Sequence, residues 1–206
     1  MRAFVAVEIP MTLREQIALL QENLQKTGAD IQWVEPPNLH LTLKFLGESD
    51  ERQLHALEEK LPPAVARTRP FSIRLEGVGA FPKIQFPRIL WIGVAQGKEP
   101  LMKLAENIEK ECRTLGFPSE ERPFSPHLTI GRTRSSGHLS NLSNSLQQAT
   151  FQAVQSFEVN EIILFQSVLL PEGPTHTAIK KIHFGHRTKK DESSRRRRTP
   201  PIDHPA

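Results

Sequence analysis

The tripeptide His-Leu-Thr occurs twice, as His40-Leu41-Thr42 within LHLTLKFLG and as His127-Leu128-Thr129 within PHLTIGR. In a β-strand successive side chains alternate between faces, so residues i and i+2 share a face and lie roughly 6.5–7 Å apart. Each copy therefore predicts a strand that carries its histidine and threonine on one face. Leu41 and Leu43, or Leu128 and Ile130, occupy the other and fix the strand against a core. A lone pair of this kind reads as an ordinary strand histidine bonded to a neighbour. Two copies, 87 positions apart and each preceded by a proline-bearing loop (Pro36-Pro37-Asn38 and Pro123-Phe124-Ser125-Pro126), predict two similar lobes presenting matched polar groups.

The intervening pattern supplies those lobes. Residues 2 to 9 read as a strand, and Pro10 opens a helix with Leu13, Ile17, Leu20 and Leu24 on one side, ended by Gly28. Ile31 to Val34 is a short strand before the first motif. Ser49 or Asp50 caps a helix burying Leu54, Leu57 and Leu61, which Pro62-Pro63 is expected to stop. Phe71 to Val78 and Arg88 to Val94 read as strands separated by the loop GAFPKIQFP. Leu101 to Leu115 is an amphipathic helix with Leu104, Ile108 and Cys112 in register, and Leu139 to Gln148 is helical. Phe157 to Val168 and Ala178 to Phe184 are closing strands joined through Pro171-Glu172-Gly173. This order predicts an α+β fold of two similar halves over residues 1–186.

No apolar run reaches the roughly 20 residues of a membrane helix, and no membrane partner is expected. The single cysteine cannot form an internal disulfide and suits a reducing, cytoplasmic setting, with Cys112 read as a helix-packing residue. The net charge of +4 sits in residues 187–206, where seven basic side chains face three acidic ones; the body balances 20 against 20. Attraction of the body to nucleic acid must then come from a local patch. The tail, with its Arg195 to Arg198 run, is expected to be disordered, either a solvated extension or an added contact to RNA phosphates.

The paired motifs suit phosphoryl chemistry. Cleaving a cyclic phosphodiester needs a base on the attacking water, an acid on the departing oxygen, and donors on the non-bridging oxygens. Two imidazoles supply acid and base near neutrality, and two threonine hydroxyls supply donors. In-line displacement puts nucleophile and leaving group on opposite sides of phosphorus, which histidines from two lobes match. A metal mechanism would need clustered carboxylate or histidine ligands, and neither motif core contains a carboxylate, so no metal or other cofactor is expected. His176, His183 and His186 form at most a loose ligand set, and His55 and His138 are assigned no role. Lys44 shares the parity of His40 and Thr42, either extending a positive patch or reaching solvent. Trp33 and Phe81 are available to stack on a base, with packing the simpler reading.

These residues resemble those of the 2H phosphoesterases, and within them the RNA 2′,3′-cyclic phosphodiesterase (2′-5′ RNA ligase-like) branch. The resemblance runs through RAFVAVEIP, LHLTLKFLGE, GVGAFP, PRILWIGV, FSPHLTIGR and LFQSVLLPEGPTHTAI. It implies a bilobal fold of two pseudo-symmetric lobes of mostly antiparallel sheet, with outer helices and a central cleft. It also implies metal-free hydrolysis of an RNA-terminal or nucleotide 2′,3′-cyclic phosphate to a 2′-phosphomonoester by a monomer, with 2′-5′ ligation in some members. By the same resemblance His40 donates a proton, His127 accepts one, and Thr42 and Thr129 hold the phosphate. The near-symmetric motifs alone do not order the two histidines. Arg132 matches an arginine common after the second motif; its offset of five from His127 requires a bulge at Gly131 to bring it to the same face. The chain departs from the pattern at His176, where a tyrosine is frequent; it contains no tyrosine at all. Alternatives left open are a non-catalytic nucleotide- or RNA-binding module, and an enzyme for another small cyclic phosphate.

Overall fold

A computed structural model describes residues 1–170 and 173–185. Pro171, Glu172, His186 and the basic tail lie outside the described residues. In chain order the elements are β1 (Arg2–Glu8), α1 (Met11–Gln25), β2 (Ile31–Trp33), a 3-10 turn (Pro36–Asn38), β3 (His40–Glu48), α2 (Glu51–Val65), β4 (Phe71–Lys83), β5 (Phe86–Gln96), α3 (Lys98–Thr114), β6 (His127–Thr133), α4 (Leu139–Gln148), β7 (Phe157–Val159), β8 (Glu161–Leu170) and β9 (Gly173–His183). They form a four-stranded sheet in the order β3-β1-β8-β9 and a five-stranded sheet in the order β2-β6-β5-β4-β7. Every pairing within them is antiparallel. The α+β architecture with one motif strand in each sheet is as the sequence predicts.

One of the two expected caps is the one used, and three features beyond it differ from expectation, each for a local reason. Asp50, not Ser49, caps α2: its carboxylate accepts from the Gln53 backbone N–H at 2.8 Å while the Gln53 side chain accepts from the Asp50 N–H, a complete capping box. The helix then runs through Pro62 and Pro63. Proline removes the intrahelical donor to the carbonyl four residues earlier, and the Glu58 carbonyl so left accepts instead from Lys180 Nζ at 3.0 Å. The stretch expected to be a loop is the end of a long β4–β5 hairpin, in which Pro82 and Pro87 sit opposite each other beside the turn, at a register shift where ladder donors are dispensable. Finally, the expected strand at 157–168 breaks at Asn160. β7 pairs with β4 in the five-stranded sheet, and β8 pairs with β1 in the other.

The helices interleave the two halves. α1 follows β1, yet its buried Gln21 donates from Nε2 to the carbonyls of Val34 and Ile130, both at 2.9 Å, tying it to the second motif strand. α3 follows β5, yet it packs against β3 and α2 on the four-stranded sheet. The core between sheets and helices is built from fully buried residues such as Ile17, Leu57, Leu61, Leu75, Ile92 and Ile108, each worth about 1.5–3 kcal/mol on transfer from water. Cys112 on α3 is part of that core, and burial pushes its thiol up to about 12. No helix among the described residues is long and apolar enough to cross a membrane.

Lys44 overturns its parity-based placement. It is 2% exposed on the face away from His40 and Thr42. Its ammonium reaches the Glu109 carboxylate of α3 at 2.9 Å, the Pro118 carbonyl at 2.6 Å and Glu120 at 3.4 Å. The cause is a β-bulge: Val5 pairs with Lys44 and Ala6 with Thr42, so Leu43 is the extra residue that reverses the alternation beyond it. Burial pushes the Glu109 carboxyl up, but hydrogen bonds from Lys44 and Arg113 outweigh it and leave the group below its ordinary value. Its stabilisation is therefore present above the ordinary carboxylate range and is lost as pH falls through the lowered folded value. Lys44→Ala, which leaves Glu109 with Arg113 alone and the Pro118 carbonyl without its donor, should cost roughly 1–3 kcal/mol, measured as a lower urea midpoint at unchanged slope, and the cost should shrink in acid.

Candidate active site

Each motif strand carries a bulge just past its motif, and these two bulges do equivalent work. In β3 the extra residue is Leu43; in β6, Leu90 pairs with Gly131 and Trp91 with Thr129, so Ile130 is the extra residue. Each reverses the strand's alternation three residues after its histidine. Arg132 accordingly joins the face of His127 and Thr129, as the expected bulge requires, and Phe45 takes the matching place on the face of His40 and Thr42. Gly131 is needed there because a Cβ would stand 2.9 Å from Ile31 Cγ2 and 3.1 Å from the Trp33 ring.

Although they belong to different sheets, β3 and β6 run in contact, and their histidines are held alike. His40 Nδ1 donates to the Asn38 carbonyl at 2.6 Å, and His127 Nδ1 donates to the Ser125 carbonyl at 2.6 Å. A carbonyl only accepts, so both rings carry their proton on Nδ1 when neutral and keep Nε2 for chemistry. The turn beneath His40 is itself pinned: the buried Arg14 guanidinium donates to the carbonyls of Ile9 and Pro37, each at 3.1 Å, and pairs with Glu8 at 3.0 Å. Each ring also has an aromatic partner. His40 stacks on Phe4 at 4.6 Å between centroids, and His127 meets Phe81 edge-on at 5.1 Å.

The two imidazoles differ electrically. Burial brings His40 down to about 4, with the Asn38 bond opposing that shift and His176 and Arg14 adding to it. His127 is also lowered, by burial and by Arg132 against the Ser125 bond, but its bond stands in the exposed part of the site whereas that of His40 is partly buried.

A cleft of about 970 Å³ opens on the four-stranded sheet, and its walls include His40, Thr42, Phe45, Thr129, Arg132 and His176. His127 stands beside this cavity rather than in its wall, two residues before Thr129 on the same strand face. Trp33 joins the lining while packing on the core, and Phe81 lies outside it against Trp91. Three buried apolar residues stand apart from the main core, Phe4, Ala6 and Ile163. Ala6 pairs with both Thr42 and Ile163, and of the three only Phe4 reaches the cleft. Sequence reading missed Phe45, 58% exposed at the cleft; the signal was its offset of five from His40, the same as that of Arg132 from His127. It also left His176 among scattered histidines. His183 instead pairs with Glu161 at 3.1 Å, and His55 and His138 lie on other surfaces. Among the described residues no three His, Cys, Asp or Glu side chains converge as metal ligands.

The model of the 2′-5′ RNA ligase superfamily matches residues 10–168. A Methanothermobacter thermautotrophicus protein named RNA 2′,3′-cyclic phosphodiesterase is 34% identical over 176 residues, which covers 85% of this chain and 95% of that protein. Among solved structures, a Thermus thermophilus protein superposes with a TM-score of 0.77 at 27% identity, covering 91% of this chain and all of that one. Escherichia coli LigT complexed with 3′-AMP superposes with a TM-score of 0.74 at 26% identity, covering 90% of this chain and 98% of LigT. Sequence and fold agree across almost the whole described body, and the chain belongs to the 2′-5′ RNA ligase superfamily.

Proposed function

We propose that the protein hydrolyses 2′,3′-cyclic phosphates at RNA ends or on nucleotides, giving 2′-phosphomonoesters, with its two histidines as acid and base and without a metal. The observation that carries this reading is the matched pair of His-x-Thr strands in contact across two sheets, each histidine presenting Nε2 from a carbonyl-anchored ring. The names of the relatives and the nucleotide on the related LigT support the substrate class. The cyclic phosphate sits between the strands. Thr42 and Thr129 donate hydroxyl hydrogen bonds to its non-bridging oxygens, and Arg132 offsets the charge that builds on them. Water attacks phosphorus opposite the 3′-oxygen and gives its proton to His127 Nε2; the phosphorus–O3′ bond breaks and His40 Nε2 protonates the leaving oxygen. Exposed Phe45, with Trp33 across the cleft, offers the base a stacking face. The same groups accept a 5′-hydroxyl in place of water, which gives 2′-5′ ligation.

The resting electrostatics bear on the order of proton transfers. A neutral His40 is the state that follows proton donation to the leaving oxygen, so an anionic substrate must draw a proton onto His40 before the forward step. The buried, high-pKa Cys112 is inert and takes no part, and it suits the cytoplasmic setting we propose for a monomer.

Three outcomes test this reading. An oligoribonucleotide ending in a 2′,3′-cyclic phosphate should yield a 2′-phosphate, and His40→Ala or His127→Ala should each lower turnover by roughly 10²–10⁴; a 3′-phosphate product, or full activity in either variant, contradicts the assignment. Since kcat/KM reports the free enzyme, its pH profile should peak on the acid side of the ordinary histidine value of 6.5, because burial lowers both imidazoles. The kcat profile should peak at higher pH, where the bound anion holds the imidazolium. Finally, activity should survive EDTA, and a loss restored by a divalent ion would rule out the metal-free route.

A further inference from the structure

The reaction proposed above leaves one imidazole in the cleft without a task. On a flat sheet β9 would lie three strands, about 14 Å, from β3. Yet the His176 ring stands 5.4 Å from the His40 ring, centroid to centroid and at 83°. The sheet curls to bring them together, and Asn38, whose carbonyl anchors His40, also donates from Nδ2 to the Pro174 carbonyl at 2.8 Å to close the curl. The two rings share Phe4 as a bed. His40 is stacked on it, and His176 meets it edge-on at 4.9 Å and 79°.

We propose that His176 is a positioning residue for His40, acting through that imidazole by fixing its ring plane and by the charge it sets against it. The inference rests on the reading of His40 as a group of the active site. The groups facing His40 are Arg14 from α1, Glu8 of β1, which is directly opposite His40 in the ladder and ion-paired to that guanidinium, the Asn38 carbonyl from the turn, Phe4 from β1 and His176 from β9. Arg2 and Glu35 line the cleft further out, and Arg132 faces across it from β6. Among the described residues no carboxylate lies within ion-pair distance of His40 or His176. A proton on either ring therefore opposes a proton on the other, and a bound substrate anion favours both. A charge on His176 thus works against a charge on His40 until the phosphate arrives. A tyrosine at this position would keep the ring and remove the charge.

The test follows the His40 ring carbon and proton resonances of the full-length protein against pH, without substrate, in wild type, His176→Gln and His176→Tyr, alongside the kcat/KM profile on a 2′,3′-cyclic nucleotide. The expected result is that His40 titrates higher in both variants by about half a unit to two units, the range that water-like and protein-surface screening give at this separation. The acid limb of kcat/KM should move the same way, and only His176→Gln should broaden the His40 signals through loss of the ring contact. An unchanged His40 titration in both folded variants overturns the proposal. Because the titration needs no turnover, a wild type that titrates as expected but hydrolyses no cyclic phosphate sinks the proposed function and leaves the coupling standing.

Discussion

The architecture depends on a buried ammonium. Lys44 projects from the first motif strand into the other half of the chain, where it meets Glu109 of α3 and the Pro118 carbonyl at the start of the segment that leads to His127. A lysine with almost no exposure is tolerable only where oxygens replace its water shell. Those oxygens come from elements that must stand in one arrangement for all to reach it. The interaction thus fixes register more than it adds net stability: it specifies how the segment before the second motif sits relative to the strand carrying the first. Arg14 performs the same service on the other side, gathering the Ile9 and Pro37 carbonyls beneath His40.

Around this framework the two halves repeat a geometry while differing in its electrostatics. Both histidines are anchored by the carbonyl two residues earlier, and both strands bulge at the same offset. The five-residue step then delivers a guanidinium in one half and an aromatic ring in the other, a division of labour between charge and stacking that a symmetric cleft would lack. The histidines diverge for a similar reason. His40 is sealed by Phe4, His176 and the guanidinium of Arg14, whereas His127 has one aromatic neighbour and more water. Equivalent backbones thus hold two imidazoles in unequal surroundings.

How much of this was legible in the sequence follows from where the information lay. The motif faces, the helices and the pairing of lobes rest on local periodicity, and the structure follows it. Arg132 was legible too, because Gly131 and an odd offset together demanded a bulge. The sister bulge at Leu43 carries no glycine, so simple alternation placed Lys44 in the cleft and hid Phe45. The end of the β4–β5 hairpin read as a loop because of Pro82 and Pro87, which lie opposite each other at a register shift, where a strand can do without their missing donors. His176 was beyond reach for another reason: its nearness to His40 comes from the curl of an entire sheet, which no window of residues encodes. The interleaving of helices with the opposite sheets is likewise a property of packing, invisible to any period.

The order β3-β1-β8-β9 sets how this molecule comes into being. β1, the first strand made, lies between β3 and β8, so one of its edges waits for a segment synthesised near the end of the described body. Until β8 arrives, the ladder groups of that edge and the rings of the concave face have no cover, and the cleft lacks both its floor and its far wall. Closure of so long a loop is slow on entropic grounds. The cleft is thus completed by the same pairing that covers this exposed edge and keeps it from pairing with another chain.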